Sequence, residues 1–181
     1  MIGNSIAGFL GTGIAASTNS YESIQTVTVA AGNTASYITF TSIPSTYTHL
    51  QIRAFHQSDA SPESYMQFNG DTGSNYKIHF MYGSGASAAA GVGSSTSNLS
   101  FNYSGGTGSI YGASVTDILD YKNANKYKVS RSLGGYDANG SGLEIMYSGL
   151  WMNTTAISSI KLYQASGNFN QYSSFALYGV K

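Results

Sequence analysis

Cysteine is absent from this 181-residue chain, which excludes disulfide staples and thiolate metal sites. Charge is scarce too. Eight Lys and Arg balance eight Asp and Glu, and charged residues make up 9% of the chain, well under the roughly 25% usual in globular proteins. The cations are scattered singly, so no basic patch is present to hold a polyanion. Neither nucleic acid nor a membrane surface is an expected partner. No run approaches the roughly 18 apolar residues of a membrane span. The opening MIGNSIAGFLGTGIAAS has a short apolar stretch, but the first Lys or Arg is Arg53. With no positive n-region, a cleaved signal peptide is not expected.

What remains is polar, neutral and aromatic. Fifteen tyrosines stand against six lysines and two arginines. Tyrosine offers contact area at low entropy cost and a hydroxyl for a wet edge. Such a surface suits packing against protein or sugar. The length fits one domain with a core of ordinary size.

The pattern along the chain is that of strands. YESIQTVTV, TASYITFTSI, THLQIRAFHQ, ESYMQFNG, YKIHFMYG, LSFNY, SVTDILDY, NKYKVSRSL, LEIMYSGLWM, ISSIKLYQ and SSFALYGVK are short, β-rich and broken by Gly, Asn and Ser. Leu50, Ile52, Ala54 and His56 share one face. NGDTGSN reads as a hairpin between ESYMQF and YKIHFMYG, and residues 83–97, GSGASAAAGVGSSTS, as a long surface loop. About ten or eleven strands and no long helix predict an all-β, antiparallel β-sandwich, jelly-roll-like. Residues 1–20 form an extended arm with apolar pegs at Ile2, Ile6, Phe9, Leu10 and Ile14, too poor to build its own core. It is expected to order by docking on a partner, with the sandwich occupying 21–181.

Chemistry is hard to find. GTGIAA at 11–16 lacks the preceding strand and following helix of a dinucleotide fingerprint, and there is no G-x-S-x-G elbow. Asp117 and Asp120 fall on opposite faces of a strand, which makes pairing with Lys122, Lys126 or Arg131 the expectation rather than an acid/base dyad. His49, His56 and His79 have no metal-ligand spacing, and His79 reads as partly buried. DANGS at 137–141 is a turn in the first instance. Trp151 is assigned to the core. No enzyme activity, metal or cofactor is expected.

Several stretches resemble, as a set, small virion structural proteins of tailed bacteriophages, notably those of aquatic hosts such as cyanobacteria: YESIQTVTV, FTSIPSTYTHLQIRAF, FNGDTGSNYKIHFMYG, the segment from VTDILDY through DANGSG, GLWMNTTAISSIKL and SGNFNQYSSFALYGVK. The most specific parts are SIPSTYTHLQIR, DILDY and SSFALYG. The resemblance implies a particle component with a β-sandwich body, often oligomeric, on head or tail. The leading expectation is a trimeric capsid decoration (cement) protein in the virion, assembled in the host bacterial cytoplasm. Its arm would lie on the major capsid protein. The alternative is a tail or fibre component whose loops bind host glycan, with Tyr103, Tyr111, Tyr136 and Asn139 as contacts.

Overall fold

In the computed structural model, residues 20–60, 62–105 and 109–181 are described; the arm residues Ile2, Ile6, Phe9, Leu10 and Ile14 lie outside them. The described residues form twelve strands, most of them alternating apolar and polar residues: β1 (Tyr21–Thr28), β2 (Tyr37–Phe40), β3 (His49–His56), β4 (Glu63–Phe68), β5 (Tyr76–Gly83), β6 (Ala88–Thr96), β7 (Leu99–Tyr103), β8 (Gly112–Leu119), β9 (Lys128–Asp137), β10 (Gly142–Trp151), β11 (Ile160–Gln164) and β12 (Ser174–Val180). They form two antiparallel sheets, one in the order β1-β12-β3-β8-β9-β10-β5-β6 and one in the order β2-β11-β4-β7. No helix among the described residues is long and apolar enough to cross a membrane.

The chain path is a jelly roll with additions. Set β5–β6 and β9–β10 aside, and the remaining eight strands run first-eighth-third-sixth in one sheet and second-seventh-fourth-fifth in the other. That is one long antiparallel ribbon rolled on itself. The two extra hairpins extend only the larger sheet, which is therefore twice as wide as its partner. The sandwich expectation holds.

Two local readings do not. NGDTGSN joins β4 to β5, which belong to different sheets, so it is a corner and not a hairpin. Asp71 holds that corner, accepting hydrogen bonds from Trp151 Nε1 (2.7 Å), the Gly73 N–H (2.9 Å) and Asn75 Nδ2. Residues 83–97 contain the edge strand β6 rather than being all loop. Its glycines are a consequence of its neighbours. A Cβ on Gly91 would sit 2.6 Å from Phe80 Cζ, and one on Gly93 2.5 Å from Ile78 Cγ1. The large side chains of β5 fill the space that β6 leaves.

Between the sheets lie Leu50, Ile52, Ile118, Phe175 and Leu177 from one side and Phe40, Met66, Phe68, Ile160 and Leu162 from the other, with Trp151 1% exposed against Phe68 and Tyr76. His56 is the buried histidine, with 0% exposure among Phe101, Phe169 and Phe175. His79, read from sequence as partly buried, is exposed on the outer face of β5. Ser64 Oγ donates to Gln164 Oε1 (3.1 Å), which leaves Gln164 Nε2 facing His56 Nδ1 at 3.3 Å. A neutral imidazole then carries its proton on Nε2, 3.0 Å from the Asn102 amide. Asn102 Oδ1, otherwise a buried acceptor with no partner, supplies the acceptor when that amide is turned to face it. Lys128 is the buried cation. It is 1% exposed, and its Nζ donates to the carbonyls of Asn123 (2.6 Å), Thr154 (2.8 Å) and Lys126 (3.0 Å).

Burial lowers the pKa of His56 to about 3. The unfolded chain takes up a proton near pH 6.5 that the folded chain refuses. Stability should therefore fall as pH drops from about 6.5, by up to about 1.4 kcal/mol per unit. Urea midpoints between pH 7 and 5.5 measure this, a window above most of the carboxylate titration. A flat profile there would contradict the buried neutral imidazole.

Candidate functional site

The doubled width of the large sheet creates two surfaces. The first is its outer face. Strand register places Val115, Leu133, Met146, Met81 and Ala90 side by side across β8, β9, β10, β5 and β6. All point to solvent; Val115 is 42% exposed, Leu133 57%, Met146 49% and Met81 55%. Polar residues flank this row on one side, where Asp117, Arg131, Ser148 and His79 are aligned. An apolar band rimmed by polar side chains is the usual mark of a protein-protein contact.

The second surface is on the inner face, where the Ile145–Tyr147 portion of β10 and the Phe80–Tyr82 portion of β5 run out beyond the smaller sheet. Here Phe80 pairs across the strands with Tyr147, and Tyr82 with Ile145. The rim of the small sheet supplies Glu63 and Tyr103, also directly opposite each other. Together these side chains line a cleft of about 310 Å³. Phe80 packs against Tyr82 at 6.4 Å and against Tyr147 at 6.2 Å between ring centroids. The Glu63 carboxylate accepts hydrogen bonds from Ser100 Oγ (2.9 Å) and the Tyr65 hydroxyl (3.1 Å).

Burial, with Glu63 adding to it, pushes the Tyr65 phenol up to about 12. The same two causes raise Tyr147, and Tyr103 is raised by burial together with Tyr136, Glu63 and Tyr82. These phenols therefore stay protonated and act as neutral donors. The cleft is aromatic, rich in hydroxyls and carries one carboxylate.

Of the four loop residues read as glycan contacts, Tyr103 and Tyr136 are brought together, with rings nearly parallel (17°) and centroids 6.5 Å apart. Tyr111 lies elsewhere, stacked on Phe55 at 5.0 Å with its hydroxyl donating to the Gln171 carbonyl (2.7 Å). Tyr111 and Tyr136 nevertheless line one shallow groove of about 380 Å³ at the end of the outer face. Asn139 is exposed in the β9–β10 turn with φ of 53°, and its N–H bonds to Asp137 Oδ1 (2.9 Å).

Sequence reasoning missed Glu63, Phe80, Tyr82 and Tyr147. Ile78, Phe80 and Tyr82 share one face of β5, and nothing local in YKIHFMYG indicates that this face outruns its cover. Asp117 accepts from Gln51 Nε2 (2.9 Å), and Asp120 forms an ion pair with Lys126. Among the described residues, no three His, Asp or Glu side chains are grouped to hold a metal.

No family model, characterised protein or solved structure matches the chain.

The fit of β6 under β5 can be tested directly. Gly91→Val puts a branched side chain into the Phe80 ring and should destabilise the protein by about 1–3 kcal/mol. Ala90→Val, one residue away on the exposed face, should change stability by less than about 0.5 kcal/mol. Urea denaturation of the two variants makes the comparison.

Proposed function

We propose that this protein is a non-enzymatic structural component of a tailed-bacteriophage virion, a capsid decoration protein that docks on the major capsid protein and stabilises the shell. The observation that carries the reading is the exposed apolar row Val115-Leu133-Met146-Met81-Ala90. A neutral surface with few charges makes such a band a natural place for another protein of the particle. Its position on a broad sheet gives a wide, nearly continuous footing. The jelly-roll path supports the same reading by analogy only, since capsid and lectin domains both use it. The N-terminal arm adds a tether. Ile2, Ile6, Phe9, Leu10 and Ile14 would each contribute roughly 1.5–3 kcal/mol on burial, before ordering costs. A trimer multiplies that through effective concentration.

A second reading is a tail or fibre component that binds host glycan. The Tyr103–Tyr136 stack beside the aromatic cleft favours it.

Copy number in purified virions, by quantitative mass spectrometry against the major capsid protein, separates the two. Hundreds of copies in simple ratio to the shell are expected for a decoration protein. A few to a few tens would move the protein to the tail.

Removal of residues 1–20 should abolish particle binding while leaving the sandwich folded. Retained binding would remove the arm from the mechanism.

Leu133→Glu and Met146→Glu, on the outer face, should likewise prevent incorporation with melting temperature little changed. Normal incorporation would exclude that face as the footing.

A further inference from the structure

We propose that the cleft beneath the overhanging β10–β5 half of the large sheet binds a single neutral pyranose ring; this rests on the second of the two readings above. The argument begins with shape. A cleft of about 310 Å³ is at the small end of the roughly 300–1,000 Å³ range of small-ligand sites. It suits one ring better than an extended chain.

The lining has two kinds of surface, as a sugar does. Phe80 and Tyr82 give aromatic area backed by the buried Tyr147, which matches the apolar C–H face of a pyranose. Around it stand polar groups of both kinds: phenol hydroxyls as donors and the Glu63 carboxylate as acceptor. Burial and the neighbouring carboxylate keep the Tyr103 and Tyr147 phenols protonated. A sugar hydroxyl both donates and accepts, so it can use both.

Glu63 is held in place by Ser100 and Tyr65. A carboxylate held in this way loses little freedom on binding. The same charge sets the selectivity. Among the described residues lining the cleft there is no Lys or Arg to meet an anion. Uronic and sialic acids would bring a second negative charge beside Glu63 and are disfavoured. Phosphorylated sugars are disfavoured on the same ground.

Tyr136 extends the aromatic surface from Tyr103 toward the β9–β10 turn. A glycan whose terminal ring occupies the cleft would leave along that side.

The test is titration of the full-length protein, followed by NMR or calorimetry, with methyl glucoside, methyl galactoside, N-acetylglucosamine and glucuronate. At least one neutral sugar should bind saturably with a dissociation constant of about 1 mM or better, and glucuronate should bind at least tenfold more weakly. Tyr82→Ala should weaken the neutral sugar tenfold or more. Glu63→Gln, which keeps the shape but leaves a single oxygen to accept where the carboxylate used two, should weaken it about fivefold while the protein stays folded.

Failure of every neutral sugar to bind would overturn both the cleft assignment and single-ring recognition by this chain. Neutral-sugar binding that survives Tyr82→Ala and Glu63→Gln unchanged would overturn the cleft alone and leave glycan binding to another surface. Glucuronate binding as tightly as the neutral sugars would overturn the proposed selectivity. Uptake of tetramethylammonium in the cleft without any sugar binding would reassign it to a cation.

Discussion

Eight strands lie over four. A sheet buries its apolar face only where another layer covers it, and the smaller sheet reaches across β1, β12, β3 and β8 and part of the way beyond. There β7 packs against β9 and β10. Past β7 the large sheet has to manage its inner face without a full partner. It does so with aromatic residues that cover one another, Phe80 with Tyr82 and Tyr147, and with Glu63 and Tyr103 from the small sheet's rim. The cleft and the wide outer face both follow from this mismatch. So does β6, whose small residues let the side chains of β5 fold over the sheet's last strand.

The core beneath the matched half is organised by polar groups as much as by apolar ones. His56, Gln164, Ser64 and Asn102 form a chain of hydrogen bonds inside a ring of phenylalanines. Each member constrains the orientation of the next, which is the way a buried network selects one packing among several. Lys128 does the same for the loops, gathering three carbonyls from two segments. A chain with so little charge places one of its six lysines where water does not reach.

Much of the fold was legible in the sequence. Period-two alternation in THLQIRAFH placed Leu50, Ile52, Ala54 and His56 on one face, and all four are buried. The run LEIMYSGLWM gave a strand, and Trp151 lies in the core as expected. What escaped were features set by distant neighbours. Nothing local distinguishes GSGASAAAGVGSSTS from a loop, because its strand character depends on Phe80 and Ile78 across the pair. NGDTGSN has hairpin composition, yet Trp151, eighty residues away, bonds to Asp71 and closes a corner. Tyr103 and Tyr136 were singled out by composition and do meet; Glu63, Phe80, Tyr82 and Tyr147 were not, since only the sheet mismatch makes them a lining.

The order of strands also governs when the structure can close. β12, last in sequence, lies in the sheet between β1 and β3 and bonds to both. Until it is made, β1 has no partner in the large sheet and β3 has only β8. At a synthesis rate of roughly 5–20 residues per second, the nascent chain spends roughly 8–30 seconds with its early strands unjoined. Their open edges then depend on the scarcity of long apolar runs, rather than on the finished fold, to avoid pairing with another chain.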